Sequence, residues 1–207
     1  MAKQQDDIFQ TIEKYLKVNV SEYRFEDKNG KKITKQEFAL QSQSQSFDVD
    51  KENKVIRLKN KEKPVDVSHI VGQKLPHQNF KSTAAFKSFE NYQGKPLFLS
   101  FYFSECGPCI EEVPLLNKVK DNLKEKYHFV AVTFDPLSKV KKFSKDHDFH
   151  WDTIYEAHKL LKALEVKSFP AYYVIDKAGY IKKVKTGLGS DSTVDKFMDW
   201  IEREKEV

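Results

Sequence analysis

The main signal in the hydrophobic pattern is an almost unbroken apolar run from Leu97 to Phe103. An alternating pattern indicates a strand with one face in water, whereas a continuous run is typical of a parallel strand covered on both faces. Two further runs, at residues 129–134 and 171–176, predict neighbouring strands. We therefore predict a sheet whose central strand is formed by residues 97–103.

The segments that separate these strands have apolar residues at helical spacing. The longest helix is predicted to begin just after Cys106 and to end near Lys126. The other elements are helices at residues 138–146, 157–164 and 191–206 and a returning strand at residues 181–184. This order, β-α-β-α followed by β-β-α, predicts an α/β fold with a mixed sheet and helices on both faces.

The first part of the chain has a different organisation and predicts a small α+β extension. A helix is predicted over residues 5–18, a hairpin over residues 23–33 and a strand at residues 55–58. Thr34 precedes a predicted short helix, and Glu37 lies at the position that completes a capping box.

A charged segment, residues 59–64, separates this extension from the rest of the chain. We place a domain boundary there and predict two domains, residues 1–64 and residues 65–207. The extension contains no combination of side chains that indicates catalysis, so its role is unknown. Our interpretation is a packing or partner-docking segment.

Charge and composition narrow the classes of function. The 36 Lys and Arg residues and 31 Asp and Glu residues give a net charge of +5, and the mean hydropathy is −0.66. Both signs are interspersed, as is typical of solvated faces, and the sequence lacks a basic-aromatic motif for nucleic acid. No apolar run approaches the roughly 20 residues that cross a bilayer. We therefore predict a globular protein with no nucleic-acid partner.

Cys106 and Cys109 are the only cysteines in the sequence. Because the predicted helix begins beside Cys106, free backbone N–H groups and the helix dipole would stabilise a thiolate there and lower its pKa. Pro108 suits a first helical turn, where a missing N–H group costs nothing. Cys109 lies one turn later, and we expect it to be more buried. This division predicts that Cys106 attacks a disulfide and that Cys109 resolves the mixed disulfide.

Two other interpretations of the cysteine pair remain open. Half of a zinc site would need a second pair of ligands, and no His pair with zinc-site spacing accompanies a second Cys pair, although His147 and His150 are three residues apart. A purely structural disulfide would close only a very short loop. Redox chemistry explains the position of the pair, between a buried strand and a helix, better than either alternative.

The order of a buried strand followed by Cys106-Gly107-Pro108-Cys109 resembles the active site of thioredoxin. Pro114 matches the helix-kinking proline of that fold. The resemblance implies a thioredoxin-like three-layer α/β/α fold for the second domain.

A second match to thioredoxin lies much later in the chain, where Phe169-Pro170 precedes a strand and resembles the cis-proline loop. X-Pro bonds adopt the cis form far more readily than other peptide bonds. The resemblance implies that Pro170 packs against the disulfide and helps to bind the substrate. It also implies substrate contacts from Gly107, Pro108 and Phe169.

Three segments match a sequence pattern that is more specific than the thioredoxin motif. They are a Val-Gly-x-x-x-Pro lead-in within residues 71–80, a Cys-x-x-Glu-x-Pro segment at residues 109–114 and a strand-Asp-x-x-Gly-x-Ile hairpin at residues 173–181. These segments resemble the TlpA/ResA-like thiol-disulfide oxidoreductases, which are mostly extracytoplasmic bacterial proteins. The resemblance covers about residues 70–205 and leaves out the extension.

Two differences from thioredoxin bear on the mechanism. Ser100 stands where thioredoxin has a buried Asp, and the narrower resemblance implies that Glu112, one turn after Cys109, replaces it. A partly desolvated carboxyl group there would have a raised pKa and could accept the Cys109 proton, whereas the alternative is an exposed helix glutamate. Glu105 stands where thioredoxin has Trp, and its carboxylate would raise the pKa of the neighbouring thiol and repel acidic substrates.

These observations predict a thiol-disulfide oxidoreductase that reduces disulfides in partner proteins. The dithiol carries the electrons, so we expect neither a metal nor an organic cofactor. We expect disulfide-containing protein substrates and an upstream thiol reductant as partners. One alternative is a peroxiredoxin-like thiol peroxidase, although Ser104-Glu105 lacks the proline expected before its cysteine. The other is a partner-binding module in which the redox pair is incidental.

The beginning of the sequence, residues 1–7, has no apolar segment of the kind found in a secretory signal. From the resemblance we expect a protein of the bacterial periplasm or cell envelope whose signal or membrane anchor is absent from this sequence. The alternative is a cytoplasmic protein.

Overall fold

The computed structural model of the protein describes residues 8–10, 12–13, 17–42, 46–60, 68–85, 87–92, 94–189 and 191–203. The chain divides into two compact units, residues 1–64 and residues 65–207. Within the described ranges, no helix has the length and apolar character needed to cross a membrane.

Among its described residues, the amino-terminal unit contains a four-stranded sheet and helical segments before and after the first 3-10 turn. Its elements are strands β1 (Arg24–Glu26), β2 (Lys32–Ile33), β3 (Ser46–Asp50) and β4 (Val55–Lys59), helix α1 (Lys35–Ser42) and a 3-10 turn at Val20–Glu22. The sheet order is β2-β1-β4-β3, and only the β1–β4 pair is parallel among the pairs described. Residues 8–10 and 12–13 are helical. In the rest of the helix predicted at residues 5–18, Lys17 lies in a turn, Val18 has no regular structure, and the other residues lie outside the described ones.

Local chemistry explains the start of α1. The Thr34 hydroxyl accepts a hydrogen bond from the Glu37 N–H at 3.2 Å, and the Glu37 carboxylate accepts one from the Thr34 N–H at 2.7 Å. This is the predicted capping box. Phe38 in α1 then packs against Phe25 of β1 and Ile56 of β4 in a separate apolar core. Strand β3 was not predicted, although Phe47 and Val49 alternate with polar residues there.

The second unit contains a six-stranded sheet and four helices among its described residues. Its strands are β5 (Lys81–Ser82), β6 (Leu97–Phe101), β7 (His128–Val132), β8 (Asp152–Tyr155), β9 (Ala171–Ile175) and β10 (Ile181–Thr186). Its helices are α2 (Gly107–Leu123), α3 (Leu137–His147), α4 (His158–Ala163) and α5 (Val194–Glu202). The strand order is β10-β9-β6-β7-β8-β5.

The sheet is mixed, as the sequence predicts. Strand β6 pairs in parallel with β7 and antiparallel with β9, and β7 pairs in parallel with β8. Every residue of β6 is buried, because both faces of this strand are covered. The prediction of a central strand is confirmed over residues 97–101, an apolar run interrupted only by Ser100, whereas Tyr102 and Phe103 lie beyond the end of the strand.

Alternation along the strands divides the apolar residues between two layers. Leu97, Leu99 and Phe101 of β6 belong to one core cluster, together with Leu160 and Leu161 of α4. The opposite cluster combines Phe98 with apolar side chains of α2, α3 and α5, namely Val113, Leu116, Val119, Leu123, Phe143, Phe197 and Ile201. Helices therefore cover both faces, which gives the predicted three-layer α/β/α arrangement.

The ends of two helices differ from the prediction. Helix α2 ends at Leu123 rather than near Lys126, and Leu123 is also its last buried apolar residue. Helix α5 begins at Val194 rather than Asp191, because the Thr193 hydroxyl caps it by accepting a hydrogen bond from the Lys196 N–H. The predicted end of this helix, at residues 204–206, lies outside the described residues.

The Leu99→Ala variant tests the packing of the central strand. Leu99 is fully buried, and its loss is expected to lower the free energy of unfolding by about 2–5 kcal/mol. Leu99→Met keeps the apolar volume and is expected to cost less than about 1.5 kcal/mol. Urea unfolding followed by Trp fluorescence measures this unit, since both tryptophans, Trp151 and Trp200, lie in it. Equal losses of unfolding free energy in the two variants would contradict the close packing of the Leu99 side chain.

Candidate functional site

The two cysteines lie where β6 gives way to α2. Cys106 is the N-cap of α2 with an extended backbone, φ −77° and ψ 102°. Its Sγ accepts a hydrogen bond from the Cys109 N–H at 3.3 Å. Pro108 occupies the first turn, where its missing N–H needs no partner. A sulfur at this position faces the free N–H groups and the positive end of the helix dipole, which favour a thiolate.

Cys106 and Cys109 form a disulfide bond, with an S–S distance of 2.05 Å. The two residues are 4% and 3% exposed, so the expectation that Cys109 is clearly more buried is wrong for this oxidised state. The distinction between them comes from their places on the helix, at the N-cap and in the first turn. Across the described part of the chain, no group of three or more His, Cys, Asp or Glu side chains is arranged to hold a metal ion.

The turn before Cys106 is tied to the end of β7 by Asp135. Both the backbone N–H and the hydroxyl of Ser104 donate to Asp135 Oδ2, at 2.6 and 2.7 Å. Asp135 is 3% exposed, so this carboxylate is a buried anchor for the turn. Nothing local in the sequence connects Asp135 to residue 104, so this contact is not predictable from the sequence.

Glu105 has a cationic partner that the sequence did not reveal. Its carboxylate lies 2.8 Å from Lys139 Nζ, and the same ammonium group lies 3.8 Å from Asp135 Oδ1. The predicted effects of Glu105 on the neighbouring thiol and on acidic substrates therefore have to include the charge of Lys139. The ion pair offsets part of the negative charge that Glu105 presents to the thiol and to acidic substrates.

Pro170 lies beside the disulfide. The Phe169–Pro170 peptide bond is cis, and Pro170 lines a small cavity together with Cys109 and Ser100. The Pro170 carbonyl accepts a hydrogen bond from the Gly187 N–H at 2.8 Å. The loop after β10 therefore holds the backbone of Pro170 through this hydrogen bond.

Three half-buried aromatic rings surround this end of the sheet. Phe169 lies edge-on to Phe103 at 5.5 Å and to Phe134 at 5.8 Å between ring centroids. Phe103 and Phe134 stack on each other at 5.7 Å. We call these three residues the aromatic cluster. The sequence analysis found only Phe169, since the other two rings come from the ends of β6 and β7 and meet it only in the folded sheet.

Glu112 is held by two donors from other elements. The Tyr172 hydroxyl donates to its Oε2, and the Leu188 N–H donates to its Oε1 at 3.1 Å. Burial raises the pKa of Glu112 above its ordinary value, and the two hydrogen bonds act in the opposite direction. The residue is therefore not the exposed helix glutamate of the alternative interpretation.

The sequence is similar to a known family and to several known proteins. The model of the Redoxin family matches residues 70–198. The thioredoxin-like protein YneN of Bacillus subtilis is 26% identical over 133 residues, which is 62% of this chain and 78% of that protein. The thiol-disulfide oxidoreductase ResA of Geobacillus kaustophilus is 27% identical over 114 residues, 54% of this chain and 66% of its own length.

Solved structures support the same fold. The thioredoxin domain of a thiol-disulfide oxidoreductase from Bacteroides vulgatus superposes with a TM-score of 0.55 at 19% identity, covering 64% of this chain and 98% of that one. StoA from Bacillus subtilis gives a TM-score of 0.52 at 21% identity, covering 62% and 98%. The second unit thus has the thioredoxin-like fold, and with most of that unit matched by the family model, the chain belongs to the Redoxin family.

Proposed function

We propose that this protein is a thiol-disulfide oxidoreductase that reduces disulfide bonds in partner proteins. The observation that carries the proposal is the Cys106–Cys109 disulfide at the N-terminus of α2. A thiolate formed there after reduction is stabilised by the helix, which makes it both a nucleophile and a good leaving group. Membership of the Redoxin family and the thiol-disulfide oxidoreductases among its relatives support the same activity.

The reaction follows from the places of the two sulfurs. In the reduced protein, the Cys106 thiolate attacks one sulfur of a client disulfide, and the other client sulfur leaves as a thiolate. Cys109 then loses its proton and attacks Cys106 Sγ, which breaks the mixed disulfide and releases the second client thiolate. Two electrons pass to the client, and Cys106 and Cys109 end as the disulfide seen here.

We assign Glu112 as the acceptor of the Cys109 proton. The two residues are one turn apart on α2, so their side chains share a face. Burial keeps the pKa of the Glu112 carboxyl group raised, which brings it closer to the pH at which the protein works.

We assign client binding to the surface beside the disulfide. Gly107 and Pro108 lie between the two cysteines, and Pro170 and Phe169 lie beside them. The rest of the aromatic cluster, Phe103 and Phe134, extends this half-buried apolar surface. An extended client segment with apolar side chains next to its cystine fits such a surface.

The proposal includes partners, cofactors and location. The dithiol carries the electrons, so the reaction needs no metal or organic cofactor, but it needs an upstream thiol reductant to restore Cys106 and Cys109.

We place the protein in the bacterial cell envelope on the strength of its resemblance to TlpA/ResA-like proteins. Fractionation of cells with an antibody to this chain tests that location, and recovery in the cytoplasm would contradict it.

The reduction potential of the Cys106–Cys109 couple decides the direction of electron flow. Equilibration against thiol buffers at pH 7 is expected to give a value towards the reducing end of the range from about −270 to −120 mV. A value near the oxidising end would contradict the reductive direction. Rapid consumption of peroxide by the reduced protein would favour a thiol peroxidase instead.

Single cysteine variants are expected to separate the two roles. Cys109→Ser leaves Cys106 able to attack, so it should accumulate a mixed disulfide with an oxidised client protein. Cys106→Ser removes the attacking thiolate and should form little or none. Non-reducing gel electrophoresis after acid quenching, followed by treatment with dithiothreitol, measures the adduct. An adduct on Cys106→Ser but not on Cys109→Ser would reverse the assignment.

The raised pKa of Glu112 predicts a pH-dependent stability. Because the folded carboxyl group holds its proton more tightly than the unfolded one, it favours folding at low pH. This contribution is lost as the pH rises from the unfolded value near 4.3 through the folded pKa. Relative to Glu112→Gln, the oxidised wild type should therefore lose stability as the pH rises from about 4 through the raised pKa of the folded carboxyl group.

Urea unfolding at several pH values measures this difference. Glu111→Gln is the matched control, since it removes the neighbouring, exposed carboxylate of the same helix. Its difference from wild type should vary less with pH than that of Glu112→Gln, because burial raises the pKa of Glu112 more than the charge of Glu111 does. If Glu112→Gln and Glu111→Gln give the same pH profile, the carboxyl group of Glu112 is not desolvated as described.

A further inference from the structure

Strand β9 places two consecutive tyrosines on opposite faces of the sheet. Tyr172 belongs to the core cluster that contains the disulfide, and Tyr173 belongs to the other. Both side chains are fully buried. The Tyr173 hydroxyl donates to the Leu164 carbonyl at 2.8 Å, whereas the Tyr172 hydroxyl donates to Glu112. The sequence analysis used both residues only as parts of a strand.

The ring of Tyr172 is fixed by its neighbours. Phe98 stacks on it, with 5.8 Å between ring centroids and 21° between planes. Phe197 of α5 meets it edge-on at 5.1 Å. A hydroxyl on a ring packed in this way has little freedom, so the position of its O–H group is set by the core. Glu112 receives a hydrogen bond from a preorganised donor.

Few charged groups surround the Glu112 carboxylate. Glu111 on the same helix raises its pKa, and Lys185 of β10 lowers it. Lys185 is itself paired with Asp191 at 2.6 Å, so its effect on Glu112 is partly offset. The uncharged donors, Tyr172 and the Leu188 N–H, are the only groups that the structure shows in hydrogen bonds to the carboxylate within the described residues.

We propose that Tyr172 is a positioning residue of the redox site, which orients the Glu112 carboxylate and stabilises its charged, proton-accepting form. This inference rests on the proposed function, because it concerns the same proton transfer from Cys109. The Leu188 N–H holds the other carboxylate oxygen. The carboxylate is thus fixed at both oxygens by groups outside its own helix.

Tyr172 does not exchange its own proton in this scheme. Burial and the adjacent carboxylate raise the pKa of Tyr172 far above its ordinary value. During resolution the proton leaves Cys109 for the Glu112 carboxylate, Cys109 Sγ bonds to Cys106 Sγ, and the client sulfur departs with the electron pair. Tyr172 remains the donor throughout, and its hydrogen bond is strongest while Glu112 is charged.

Removal of the Tyr172 hydroxyl is expected to change the pKa of Glu112 in one direction only. Without it, the Leu188 N–H is the only hydrogen-bond donor to the carboxylate that remains among the described residues, so the pKa of Glu112 rises further. A hydrogen bond to a charged group corresponds to roughly one to two pKa units. Because the unprotonated form of Glu112 accepts the proton, the acidic limb of the rate profile for resolution should move to higher pH by a similar amount.

The Tyr172→Phe variant tests this inference, with Tyr173→Phe as its matched control. Each variant loses one buried hydroxyl from the same strand, but only the first touches Glu112. The Glu112 carboxyl is followed by ¹³C NMR over a pH titration of the oxidised protein, with its signal assigned by its absence in Glu112→Gln. Tyr172→Phe is expected to raise the titration midpoint by about one unit or more, and Tyr173→Phe to leave it unchanged.

A single-turnover assay then tests the connection with the reaction. Rates of formation of the Cys106–Cys109 disulfide with an oxidised client, measured from pH 4 to pH 9, should show the same upward shift for Tyr172→Phe. Added to Glu112→Gln, Tyr172→Phe should cause no further shift in the profile. An unchanged NMR midpoint overturns the inference, and so does an unchanged rate profile.

The two measurements also separate this inference from the proposed function. A wild type that reduces no client disulfide at any pH overturns the proposed function and, with it, the role of Tyr172 in turnover. The NMR midpoint is independent of activity and still decides whether Tyr172 sets the proton affinity of Glu112. A shift of the same size in Tyr173→Phe would overturn the specific contact and indicate a general effect on the sheet.

Discussion

The transition from β6 to α2 is the constraint around which the second unit is arranged. A strand buried on both faces ends at Phe101, and after a short turn a helix begins at Gly107 with Cys106 as its N-cap. The helix N-terminus supplies partial positive charge to whatever occupies the cap. Other residues of the site support this transition, since Asp135 holds the preceding turn and Pro170 lines a small cavity together with Cys109.

Successive side chains of a strand point to opposite faces of the sheet, so neighbouring residues meet different hydrogen-bond partners. Strand β9 sends Tyr172 to the face covered by α2 and Tyr173 to the face covered by α4. Both have a buried hydroxyl, and each hydroxyl needs a partner. One finds a backbone carbonyl and has a structural role, while the other finds a carboxylate on the helix that carries the cysteines. Neighbours in sequence therefore have unrelated functions.

Much of the fold and part of the site follow from the sequence, because both depend on strong local patterns. Continuous apolar runs predict the buried strands, and the cysteine spacing, the following helix and the family resemblance indicate Cys106, Cys109, Pro170 and Glu112. Contacts between distant segments were not predictable. Asp135 reaches Ser104, and Phe103 meets Phe134, because the parallel strands β6 and β7 end on the same side of the sheet. Phe169 joins these two rings because the antiparallel strand β9 begins on that side. The ion pair of Glu105 likewise depends on where α3 places Lys139.

The loop after β10 limits how the sequence can change in length. Consecutive residues in this loop make unrelated contacts: the Gly187 N–H reaches the Pro170 carbonyl, and the Leu188 N–H reaches Glu112. Gly187 and Gly189 both have positive φ angles, 62° and 56°, which suit glycine. Insertion or deletion of one residue here would move both donors together, while a longer hairpin turn at residues 177–179 would move neither. Variation in length within such proteins should therefore avoid this loop, even though it carries no reactive side chain.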